Sequence, residues 1–356
     1  MIDYRNGLSD GREFAPEQPP PDVPGYREKY WACGFDGRAG IGFSIWLETT
    51  AADYAVWQEV VHVVLPDGRV FLSSTETHRA SSTGPGGQVA SGVCEQPFRR
   101  WSYRLRGALE ATTVADLVRT DGERPRRTPT DVTLDLDLLS TGPAWDLAAS
   151  ASSKEVAFTT QYRQLFRAAG DLQIGSEPRV SLDATGFRAH SSGPYHGGTF
   201  GGHSMISVQF PSGRAAGFLR HVRPDGSATV SQAFVLDDGR LIPAELAEAP
   251  KRLERLSPGG DRFPVRLNAG AKSYLIDVEI VANVTSLRPN YFEATARTAD
   301  DLAIVATHRD GLANAISYGR FSLDGETGFG IIERSTRMSA LPPSSVAETR
   351  RTHVPD

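Results

Sequence analysis

The sequence predicts an all-β protein of antiparallel sheets, and three observations carry that expectation. Turn signals recur at short intervals, among them Asp36-Gly37, Pro66-Asp67-Gly68, Pro211-Ser212-Gly213, Pro224-Asp225-Gly226, Asp237-Asp238-Gly239, Asp310-Gly311 and Asp324-Gly325. Between them lie short runs that alternate apolar and polar residues, the period of a half-buried strand. Helical patterns are scarce. Many short strands with regular turns argue for closed or sandwiched sheets.

Residues 1–27 are acidic and Pro-rich, and Pro19-Pro20-Pro21 forbids a helix there, so they read as an extended arm. Two aromatic, β-rich runs from Tyr30 onward meet at the Asp36-Gly37 hairpin pair. A second hairpin runs from Tyr54 to Leu65 and returns over Arg69 to Thr77. After a Gly/Ser loop, Phe98 to Thr113 places Trp101, Tyr103 and Leu105 on one face. Val132 to Leu138 alternates cleanly, and Pro143-Ala144-Trp145 closes this half. Residues 150–165 read either as a helix or as an extended connector with a strand from Phe158. Lys272 to Val284 sets Tyr274, Ile276, Val278, Ile280 and Val284 against Asp277, Glu279 and Asn283.

At 356 residues the chain exceeds the roughly 250–300 at which one core stops growing, so two domains are expected. Their bounds are an arm over 1–27, domains over 28–150 and 151–338, and a tail over 339–356. The echo of D-G-x-x-G-φ-G-φ at Asp36–Phe43 and Asp324–Ile331 is consistent with duplication. A net charge of -5 with dispersed basic residues gives no reason to expect a nucleic acid. Neither a leader-like apolar segment nor an eighteen-residue apolar run is visible, so we expect no membrane span and a cytoplasmic protein. Cys33 and Cys94 cannot make a disulfide framework or a four-cysteine zinc site. The sequence leaves the oligomeric state open.

The stretch Gly186–Phe210 gathers the polar chemistry. It holds His190, His196 and His203 with Arg188 and Tyr195, and its glycines suggest an irregular loop feeding a strand from His203. Histidine can give or take a proton near neutral pH, as hydration, dehydration or double-bond migration requires. The structural alternative is that these histidines hold turns together. Glu333 shares a face with Phe329 and Ile331, so it points inward either as a general acid or as a partner for Arg337 or Arg320. His62, in the row Val56, Gln58, Val60, His62, Val64, reads as a satisfied core histidine. No G-x-S-x-G elbow, H-E-x-x-H, phosphate loop or dinucleotide fingerprint appears, and no histidine spacing resembles a metal site, so neither metal nor cofactor is expected.

Four motifs together resemble a known family. They are W-x-x-x-F-D-x-x-x-G-x-G at Trp31–Gly42, G-x-R-x-H-S-x-G-P at Gly186–Pro194, F-x-x-G-R-A-x-G at Phe210–Gly217 and G-x-G-x-x-E-x-S-x-R at Gly328–Arg337. This order is similar to the tandem lipocalin-like proteins, among them carotenoid 1,2-hydratases, kievitone hydratase and lipocalin-like Diels–Alderases. The resemblance implies two lipocalin-like antiparallel β-barrel or barrel-like domains in tandem, enclosing a small apolar molecule. Many relatives read R-D-H-S-W-G where this chain has Arg188-Ala189-His190-Ser191-Ser192-Gly193, so either His190 does not serve as acid–base or another carboxylate orients it.

The expected function is therefore a cofactor-independent enzyme acting on a terpenoid, polyketide or aromatic substrate by hydration or dehydration, isomerisation or cyclisation. The candidate catalytic residues are His190, Tyr195, His196, His203 and Glu333. Arg188, Trp31, Phe35, Trp57 and Trp101 are the candidate substrate contacts. The alternative is a carrier or sensor that binds the same ligand class unchanged.

Overall fold

The structure is a computed structural model, and it describes residues 3–23, 25–50, 53–78, 84–119, 127–147, 160–194, 200–288 and 310–341. The first sheet contains β1 (Tyr26–Asp36), β2 (Ile41–Thr49), β3 (Val56–Val64), β4 (Arg69–His78), β5 (Ala90–Gln96), β6 (Arg100–Thr113), β7 (Thr128–Ser140), β8 (Trp145–Asp146), β9 (Thr160–Ile174) and β10 (Val180–Pro194). Its strand order is β10-β1-β2-β3-β4-β6-β7-β9-β8, and β10 also pairs with β9, so the sheet returns to its start. The second sheet is a closed barrel of β11 (Gly202–Gln209), β12 (Ala215–Val222), β13 (Ala228–Asp237), β14 (Arg240–Glu248), β15 (Arg262–Ala269), β16 (Lys272–Arg288), β17 (Leu312–Leu323) and β18 (Glu326–Arg337). Every pairing between these strands is antiparallel, from the Asp36-Gly37 hairpin to the closing β11–β18 ladder. Closure covers most strand edges, although β5 pairs only with β6 and β4 meets β6 only over Arg69–Leu72.

Two sequence expectations differ from this architecture. The proposed division at residue 150 falls before β9 and β10, yet both strands belong to the first sheet, and the chain passes to the second between Pro194 and Gly202. Of the two readings of 150–165 the strand holds from Thr160, because β9 ladders with β7 on one side and β10 on the other. Gly186–Pro194 is likewise strand, the second half of β10, and not an irregular loop. The clean alternations hold. Trp101, Tyr103, Leu105, Leu134, Leu136 and Leu138 are buried together inside the first barrel. Tyr274, Ile276, Val278 and Ile280 fill the second, while a bulge after Ile280 turns Val284 toward the other barrel. At the Asp324-Gly325 turn both residues have positive φ, 51° and 78°, the type I′ geometry that twists with its strands.

The barrels pack through an apolar layer that joins Trp31, Cys33, Phe35 and Phe187 of the first to Met205, Leu219, Phe234, Tyr318 and Ile331 of the second. Two bare backbone positions allow close approach: a Cβ at Gly42 would lie 2.6 Å from the Tyr318 ring, and one at Gly37 would lie 2.3 Å from Phe329. His62 also crosses this layer, sharing a 2.7 Å hydrogen bond with the Tyr318 hydroxyl, so it is a satisfied buried histidine as the sequence suggested. Cys33 and Cys94 are both free. Among the described residues no helix is long and apolar enough to cross a membrane.

Candidate functional site

Alternation along β1 decides which residues reach the space between the barrels. Tyr30 and Ala32 point into the first barrel, so Arg27, Lys29 and Trp31 point out toward the second. Across the β1–β2 ladder Lys29 sits opposite Glu48 and Trp31 opposite Trp46. Gln161 and Arg163 extend the same surface from β9. The second barrel answers with His203 on β11 directly opposite His221 on β12, and with Glu333 on β18. These residues, with Phe200, Leu219, Arg288, Leu312 and Asn314, line a cleft of about 780 Å³, counting the open space at its mouth.

The polar groups of the cleft are mutually tuned. His203 Nε2 lies 2.9 Å from Glu333, and Ser335 Oγ lies 2.7 Å from His203 Nδ1. Burial alone would raise the Glu333 carboxyl, but His203, Lys29 and Arg163 outweigh it and hold the group ionised, down to about 2. Burial draws Lys29 down to about 8 against the opposing pull of Glu48 and Glu333, and its ammonium lies 3.6 Å over the Trp46 ring. Burial, with help from His203 and Arg163, pushes His221 down to about 3, so its imidazole is neutral at physiological pH. Its ring lies 5.7 Å from both His203 and Phe200. The arrangement thus offers a lysine whose pKa is near neutrality, a neutral imidazole and a fixed carboxylate, walled by Trp31, Trp46 and Phe200. Such a set can move a proton on a bound molecule and stabilise charge that develops there.

The sequence-predicted residues divide between two places. Trp31, His203 and Glu333 meet in the cleft. Phe35 belongs to the apolar layer, 5.6 Å from Tyr318 and 6.0 Å from Phe329. Arg188, His190, Trp57 and Trp101 lie inside the first barrel instead. There the N-terminal arm inserts a 3₁₀ turn, Asp10–Glu13, whose buried Glu13 carboxylate pairs with Arg188 at 2.5 Å and accepts from Trp101 Nε1 at 2.6 Å. Arg188 also donates to Gln164 and Tyr162, so both terminal nitrogens of its fork are engaged by protein. His190 stacks on Tyr30 and has an acceptor at each ring nitrogen, the Arg12 carbonyl at 2.6 Å and Glu28 at 2.5 Å. Glu28 is the orienting carboxylate that Ala189 cannot supply. Trp57 packs in the same core, 6.2 Å from Tyr30. Tyr195 and His196 lie outside the described residues.

Sequence reasoning missed Lys29, Arg163 and His221, while Trp46 was among the tryptophans expected to wall a cavity. A charged residue on a strand reads as solvated, and β1 begins at Tyr26, earlier than the sequence suggested, so the Arg27, Lys29, Trp31 row went unread. Among the described residues no group of three or more His, Cys, Asp and Glu side chains could hold a metal ion.

Comparisons with known proteins agree with the double-barrel fold. The chain is similar to a protein of Nitrosomonas europaea assigned as AttH, at 14% identity over 87% of this chain and 92% of that one, with a TM-score of 0.52. It is similar to CghA at 14% identity over 95% and 98% of the two chains, with a TM-score of 0.51. For CghA with Sch210972 the values are 12% identity, 92% and 97%, and a TM-score of 0.50. At such identities the likeness is one of fold. No curated protein matches in sequence. A family model described as "Domain of unknown function (DUF7064)" matches residues 13–338, and the chain belongs to that family.

Proposed function

We propose that the chain is an enzyme that moves a proton on a small, mostly apolar molecule held in the cleft between its barrels. The observation that carries this reading is the convergence of Lys29, His221 and the His203–Glu333 pair on one aromatic-walled cleft. A lysine held near 8 can serve as acid or base at working pH, and neutral His221 can hydrogen-bond a substrate oxygen. Glu333, ionised throughout, fixes His203 and opposes positive charge. The reaction class is isomerisation, cyclisation, or addition and loss of water, without a redox cofactor. This reading moves the acid–base role from His190 to the cleft, because both His190 ring nitrogens already face protein acceptors.

A second reading has its own support. Both ring nitrogens of His203 are also taken, by Glu333 and Ser335, as in a carrier whose histidines only hold its walls. Deuterium separates the two. The protein is incubated in D2O with a lipophilic extract of the cells that make it, and the small molecules are compared by mass spectrometry. The enzyme reading expects a product or a species carrying solvent deuterium on carbon. It also expects loss of that signal by at least about a hundredfold in Lys29→Met. A ligand that co-purifies and is returned unchanged, with no deuterium, would leave the carrier.

A further inference from the structure

Arg163 is a buried cation of the cleft to which the described residues supply no carboxylate partner. It is 7% exposed, comparable to Arg27, Arg188 and Arg334 at 9%, 3% and 5%. Each of those three has a carboxylate: Glu48 at 3.3 Å, Glu13 at 2.5 Å and Asp261 at 3.0 Å. Arg163 has none within ion-pair distance among the described residues. One terminal nitrogen meets the Met205 thioether at 2.8 Å, a weak acceptor, and the guanidinium lies 5.4 Å over the Phe187 ring. Its Nε is buried without a hydrogen-bond partner, as are those of the other three, so the missing carboxylate is what sets Arg163 apart. The two carboxylates of the described lining are already committed, Glu333 to His203 and Glu48 to Arg27 and Trp46.

A buried cation without a counter-charge is costly, and proteins retain one where something else supplies the anion. The described lining carries four basic side chains, Arg27, Lys29, Arg163 and Arg288, against those two carboxylates. The guanidinium fork matches the two oxygens of a carboxylate, or an oxygen pair of an ionised enol, in a way that a point charge does not. The walls beside it are Trp31, Trp46, Phe200 and Leu219. We infer that the ligand of this cleft is an organic acid, a carboxylate or ionised enol on an apolar, ring-bearing body, and that Arg163 receives its anionic oxygens. This rests on the cleft being the ligand site, and it holds whether or not a proton is moved there.

Two probes with one aromatic skeleton test it: 1-anilinonaphthalene-8-sulfonate, which is anionic, and N-phenyl-1-naphthylamine, which lacks the sulfonate. Both are titrated into the full-length protein and into Arg163→Met, following probe emission and tryptophan quenching. The wild type is expected to prefer the anionic probe by at least roughly tenfold, the size of a hydrogen-bonded charge contact. Arg163→Met loses that preference and binds the neutral probe within about twofold. The ligand-free Arg163→Met protein is expected to stay folded with a melting temperature close to wild type, because removing a buried charge offsets the loss of its pull on Glu333. Equal binding of the two probes by wild type, or an anion preference that survives Arg163→Met, overturns the inference. Anion preference without deuterium incorporation would instead remove the enzyme reading and leave this one standing.

Discussion

Replacing Glu333 with Gln removes one charge and keeps a side chain that still accepts from His203. The folded protein holds this carboxyl near 2, against an ordinary value of 4.5. That is about 2.5 units at about 1.4 kcal/mol each, so the ionised group contributes roughly 3 kcal/mol to folding at neutral pH. Its pKa is lower folded than unfolded, so the contribution is complete above about pH 4.5 and fades as the pH falls toward 2. Urea unfolding at pH 7 is expected to show Glu333→Gln less stable by about that amount, and the gap should narrow toward pH 3. A second consequence is local. Glu333 is one of the two groups that pull Lys29 upward, so in the variant the ammonium titrates below 8. Wild-type and variant stabilities that run parallel from pH 7 to pH 3 would refute the reasoning, since the carboxyl would then not be held by its neighbours.

Gly42→Ala forces a methyl against the buried Tyr318 ring and is expected to cost about 1–3 kcal/mol, read as a lower urea midpoint. Tyr318→Phe leaves His62 buried without its partner and should cost about 1–3 kcal/mol, much of which the double variant with His62→Leu recovers. Glu13→Gln weakens the pairing of the buried Arg188 and is expected to destabilise by about 3–5 kcal/mol, with Arg188→Met in the same chain less harmful than Glu13→Gln alone. His190→Gln should lower thermal stability while leaving probe binding in the cleft within about twofold, because the ring bonds to Glu28 and Arg12 inside the first barrel. An unchanged melting temperature in His190→Gln would show that these bonds hold nothing.

The fold was legible because a half-buried antiparallel strand writes its inward face into every second residue. Trp101, Tyr103 and Leu105, or Tyr274, Ile276 and Val278, need no partner strand to be recognised. The site was half legible. Glu333 stood out as a carboxylate on an apolar strand face, His203 as one of three histidines in a Gly-rich stretch, and Trp31 as a large ring suited to a cavity wall. Lys29 and Arg163 did not stand out, because outside one barrel ordinarily means in water. Here it means facing the second barrel, and no local pattern says which outer face is covered. The same blindness left the surroundings of Arg188 and His190 unread, and the fold sets both inside the first barrel among protein partners. Strand parity gives the two sides of a sheet, and only the arm carrying Glu13 shows which side is sealed.

The seats at Gly37 and Gly42 bear on how such a protein can diversify. With Phe329 and Tyr318 resting on naked main chain, the barrels meet like a tenon in its mortise, and neither can swivel without first lifting a ring out of its socket. The floor between them is therefore set by the joint. Variation in the cleft has to come from side chains along its walls and from the connections around its rim.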